Sequence, residues 1–221
     1  MNLKKASQIN TQTAFVFGPE GSGYAQYAVQ QAAAKGETLV ISFVATDVLV
    51  GNSPVDGQPM PDVTVAEVNT LENLDEVLAE LNTLRSKDKN FASVVVLGVN
   101  AYAALVAMKV ANGGQVSQPQ YGEIARTVMY QMRLLRGYGQ NFFVTCPVRD
   151  DEETGTRRLD VQPAIYNGLS GELAQAWFIA GKKDGTRLVQ RDPLLALNFV
   201  AGEEILSGEE AVEEKKSRSK R

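Results

Sequence analysis

The chain predicts an α/β fold of three layers, in which a mostly parallel sheet is covered by helices on both faces and finished by a C-terminal β-hairpin. Three observations carry this. Apolar, β-branched runs such as ETLVISFVATD (residues 37–47) and ASVVVLGV (92–99) lack the in–out alternation of a half-exposed strand, and read as strands buried on both faces. Segments of helical period separate these runs, which implies right-handed crossovers between parallel neighbours. At 221 residues and 44% hydrophobic content, the chain holds enough apolar surface for one core without metals or disulfides.

Taken in order, residues 13–17 form a short apolar run stopped by Gly18-Pro19, and residues 24–35, rich in Ala and Gln, form a helix ending at Gly36. The strand at 37–47 is followed by the Gly/Pro-punctuated loop GNSPVDGQPMP and a strand at 63–68. Leu71, Leu74, Val77, Leu78, Leu81 and Leu84 fall at spacings of three and four, giving an amphipathic helix to about Lys87. The strand at 92–99 leads to a short apolar helix over 101–110 and a polar loop, ANGGQVSQPQ. Ile124, Val128, Met132 and Leu135 mark the core stripe of the next helix, followed by the strand NFFVTCPV. Beyond it, RRLDVQPAIY reads as a strand, GLSGELAQA as a short helix, and WFIAGKKDGTRLVQ as a hairpin turning at Lys183-Asp184-Gly185. The expected organisation is an N-terminal extension (1–12), one domain (13–202) and a charged tail (203–221), expected to be disordered, in which an acidic block meets a basic end.

A formal charge of −4 argues against a protein that coats nucleic acid through bulk electrostatics. Histidine is absent and Cys146 is the one cysteine, which removes histidine catalysis, most zinc sites and any internal disulfide. The expectation is a cytosolic protein, in the host cytoplasm or a virion if phage-encoded. It should bind no metal, having no histidine and one cysteine, and no membrane, since no leader-like or membrane-length apolar run is present.

The stretch FVFGPEGSGYAQ carries the most chemistry. Gly18, Pro19, Glu20, Gly21, Ser22 and Gly23 satisfy the glycine frame of a phosphate-binding loop, but Tyr24 stands where the lysine belongs and Ala25 where the hydroxyl belongs. The lysine would supply charge to the phosphates and the hydroxyl a magnesium ligand. Backbone amides before a helix still suit weak binding of an anion or nucleotide.

This loop, the later apolar strand before a short helix, and GQNFFVTCP together resemble RecA-type P-loop ATPases, most of all the small phage-encoded nucleotide-binding proteins of single-strand annealing and recombination. The resemblance spans roughly residues 13–189 and implies a P-loop NTPase-like fold. It also implies a Walker B aspartate at the end of the strand SVVVLGVN, where this chain has Gly98, and a polar or histidine residue where Cys146-Pro147 stands. Asp47 is the acid on offer for activating water. Three losses acting on one metal–phosphate unit imply a pseudo-ATPase that works by binding, in DNA recombination or replication, or in protein assembly. The alternatives are a structural or assembly component of a phage virion, and a working ATPase in which Lys35 or a neighbour's arginine replaces the missing charge.

Arg126, Arg133 and Arg136 share one helix with Tyr130, and Arg149, Arg157 and Arg158 follow, so a surface for single-stranded DNA is one reading and a solvated helix face the other. DDEETG (150–155) reads as hydrated surface, Trp177-Phe178 as core and Cys146 as a buried thiol. RecA-type domains commonly assemble side by side, so a homo-oligomer or a protein partner is expected.

Overall fold

A computed structural model describes residues 11–50, 61–151, 156–181 and 187–191. Six parallel strands run in the order β3 (Thr64–Glu67), β2 (Thr38–Ser42), β4 (Phe91–Leu97), β5 (Gly139–Asp151), β1 (Thr13–Pro19), β7 (Gln175–Gly181). β8 (Arg187–Arg191) extends the sheet antiparallel to β7, and β6 (Thr156–Leu159) pairs antiparallel with the far end of β5. The architecture is the three-layer, RecA-like α/β arrangement. The turn expected at Lys183-Asp184-Gly185, the loop 51–60 and the tail lie outside the described residues.

Direction of travel decides which layer each helix joins. From β1 the chain crosses to β2 through α1 (Tyr24–Ala33) and on to β3 through α2 (Asp47–Val50). It then returns through α3 (Leu71–Ser86), the pair α4 (Val99–Ala111) and α5 (Gln118–Arg136), and α6 (Pro163–Glu172). Right-handed crossovers put outward and return helices on opposite faces. The core divides accordingly. Ala14, Val16, Val95 and Leu97 pack with Tyr27, Ala28 and Leu49 under α1 and α2. Phe15, Phe17, Val94 and Val96 pack with Leu74, Val106, Val128 and Ile165 from the other helices. Both faces of each central strand are apolar because both are covered.

Several boundaries differ from the expectation. β2 stops at Ser42, not at Asp47: Phe43 N–H still reaches the Leu97 carbonyl (3.0 Å), then the Ser42 hydroxyl donates to the Val44 carbonyl (2.7 Å) and the chain turns into α2. Asp47 thereby becomes the first residue of a surface helix. α5 starts inside the expected polar loop, where the Gln120 side chain accepts from Ser117 N–H (2.7 Å) and Pro119 occupies the first turn. RRLDVQPAIY is not one strand. It supplies β6, a bend, and from Pro163 the helix α6, since a first-turn proline gives up no hydrogen bond; Ile165 and Tyr166 N–H both reach the Gln162 carbonyl. The short helix expected from Gly168 is the second half of α6, and its last residues join β7.

Candidate functional site

The carboxyl ends of β4, β5 and β1 lie side by side, with Val16 beside Thr145, Phe17 beside Cys146 and Gly18 beside Pro147. β1 leads to the α1 face and β5 to the opposite face, so a topological switch point falls between them, where open α/β sheets present ligand crevices. The glycine loop is at this point.

The loop keeps its backbone geometry. Ser22 N–H closes a turn on the Pro19 carbonyl (3.1 Å), Gly21 and Gly23 take positive φ (77° and 76°), and the Gly23 carbonyl accepts from Tyr27 N–H (2.9 Å) as the cap of α1. Tyr24, Ala25 and Gln26 thus precede the first intrahelical donor, the arrangement that turns amides towards an anion. Gly18 has a different constraint. Pairing of β1 with β7 brings the Ile179 carbonyl oxygen to 2.2 Å from where a Cβ would stand, and Ser22 Oγ to 2.6 Å. No side chain fits there.

What surrounds the amides is not a phosphate clamp. Ala25 is buried among the apolar residues under α1. Tyr24 is half-buried, and desolvation, with the nearby Cys146 and Glu20, pushes its phenol up to about 12, so at neutral pH the lysine position holds an uncharged hydroxyl. Glu20 and Gly21 are exposed. Lys35 follows the far end of α1, a helix of ten residues and therefore about 15 Å long. It cannot supply the loop's missing charge within one chain.

Gly98 caps α4 in the left-handed conformation (φ 78°, ψ 58°), and a Cβ there would stand 2.5 Å from Val44 Cγ1. Its N–H donates to the buried Thr145 hydroxyl (3.0 Å). Thr145 is the polar residue that sequence reasoning missed: it lies one place before Cys146 and ties the end of β4 to β5. Cys146 is fully buried, and that burial pushes its thiol up, against the smaller opposing pull of Arg149.

The three arginines of α5 have different surroundings. Arg126 is exposed, whereas Arg133 Nε donates to Glu172 Oε1 (2.7 Å) with its NH2 group on the same oxygen, and Arg136 NH1 donates to the Glu172 carbonyl (3.2 Å). Arg149 forms an ion pair with Asp160, which also accepts from Asn100 Nδ2 (3.0 Å). These groups edge a cleft of about 470 Å³ floored by Ala103, Ala104 and Ala107, on the sheet face opposite α1. Sequence reading gave no sign of it, because β6 and the 160–162 bend form one wall. Trp177 and Phe178 are core residues. The side chains of Arg157 and Arg158, and most of DDEETG, lie outside the described residues.

No cluster of three or more metal-ligating side chains occurs among the described residues, and no helix among them is long and apolar enough to cross a membrane. Compared with known proteins, the chain matches no family model and no curated protein at a significant level.

Proposed function

We propose that this protein is a RecA-like P-loop protein that no longer hydrolyses nucleotide and acts by binding, in DNA recombination or replication or in protein assembly. The observation that carries the reading is the end of β4. Gly98 is held at positive φ against Val44, so the position where the resemblance calls for a magnesium-holding carboxylate has no room for a side chain. An uncharged phenol at Tyr24 and a buried methyl at Ala25 agree with it. Phosphoryl transfer on this scaffold depends on positioning and on cationic stabilisation of the phosphates, and these residues supply neither.

The test is turnover of ATP and GTP with magnesium by the purified chain, beside the variant Tyr24→Lys with Ala25→Thr. The wild type should show no turnover. The variant should bind nucleotide more tightly, by about tenfold or more, and still not turn over. Hydrolysis by the wild type that is lost on changing Gly21 or Gly23 would overturn the reading.

A further inference from the structure

The large apolar side chains exposed among the described residues concentrate on the α4–α5 hairpin: Met108 (62% exposed), Tyr121, Tyr130 (65%) and Leu134, with Val65 on the edge strand. On α5, Tyr130 has Arg126 one turn before it and Arg133 and Leu134 one turn after, all exposed, so these four make a continuous basic and aromatic stripe with Glu123 at its start. α3 belongs to the same helical layer. It exposes Glu72, Asp75, Glu76 and Glu80 around the small Ala79. Its own backbone amide and the Thr70 hydroxyl hold the Glu72 carboxyl below the usual range, with Lys109 of α4 adding to the effect. α4 packs along α5, and its Met108 is exposed.

Acid on α3, cation and aromatic ring on α5, and an exposed methionine on α4 form a self-complementary pattern. A two-fold axis through this helical layer brings the α3 stripe of each copy onto the α5 stripe of the other. We propose that the α3–α4–α5 layer is a dimer interface for a second copy of this chain. Tyr130 of one copy packs over Ala79 of the other, and Arg126 meets Glu76 and Glu80 there. The proposal rests on the reading that the chain works by association, and names the surface. Nucleic acid is the weaker occupant, since Glu172 already engages two of the three α5 arginines and the chain carries a net charge of −4.

The experiment is sedimentation velocity on the full chain over a concentration series at low and high salt, with two variants altered at exposed positions. One is Arg126→Glu with Tyr130→Ala, and the other is Glu76→Lys with Glu80→Lys. Wild type should dimerise, and less tightly at high salt. Each variant alone should dimerise at least about tenfold more weakly, while an equimolar mixture recovers association, because the mixed dimer keeps one intact α3–α5 contact. A wild type that stays monomeric at every concentration removes both this surface and the association reading. A dimer indifferent to both variants, or a mixture no better than its parts, removes the surface alone. Binding of a thymidine oligomer that the α5 variant abolishes, with the dimer unchanged, would give the face to single-stranded DNA instead.

Discussion

Two strand-to-helix junctions at the same end of the sheet invite comparison. After β1, Gly23 caps α1, and after β4, Gly98 caps α4; each takes φ near 77° and neither cap is made by a side chain. They differ in what stands beside them. At Gly21, within the first junction, nothing lies within 4 Å of where a Cβ would be, whereas at Gly98 Val44 fills that space and at Gly18 the Ile179 carbonyl does. A glycine required by its backbone conformation, one held by packing and one beside open space look identical in a sequence. The first junction leaves space beside Gly21, and the second is filled by Val44.

Substitutions at these glycines separate the cases. Gly18→Ala should have the largest effect, about 3 kcal/mol or more lost from unfolding stability, because the obstruction is a backbone carbonyl in a paired strand and cannot swing away. Chemical denaturation measures it, and a loss under about 1 kcal/mol would mean that β7 does not press on the loop. Gly98→Asp should cost about 2–3 kcal/mol from its positive φ and the Val44 contact together. In a Val44→Ala background the same change should cost less, and strict additivity of the two would show that Val44 does not close the position. Gly21→Ala should cost only about 1 kcal/mol, from conformation alone.

The smallest effect expected is a dependence on pH. With its phenol at about 12 in the fold and near 10 when exposed, Tyr24 contributes stability that is complete below about pH 10 and is lost as pH rises towards 12. Tyr102, also raised to about 12 by burial beside Asp75, acts in the same sense. Tyr24→Phe should flatten the decline between pH 10 and 12 by on the order of 1 kcal/mol, given its partial contact with solvent. An unchanged slope would place the phenol in water.

Patterns confined to one segment were legible from the sequence. The buried run Val94-Val95-Val96 and the α5 stripe of Ile124, Val128, Met132 and Leu135 are core because local periodicity carries their burial. The start of α5 was also written locally, in Ser117 and Gln120, beneath residues that look like a polar loop. The end of β2 was not, since it depends on Ser42 and Phe43 bonding to groups around them as the chain turns. In the site, the glycine frame and the tyrosine that follows it could be read directly. The closing of Gly98 by Val44, of Gly18 by Ile179, and the capture of Arg133 by Glu172 join residues distant in the chain. No spacing rule reports such contacts.

β1 lies inside the sheet, yet its neighbours are β5 and β7, and the Asn141 side chain that receives Gln12 N–H is 129 positions further along. On a ribosome this interior strand is therefore made early and paired late. While the outer pairings β2–β3 and β2–β4 can form as their residues emerge, Phe15 and Phe17 wait for the last third of the domain. A chain with this order of contacts folds slowly, and the apolar residues of β1 are the ones left unpaired longest during synthesis.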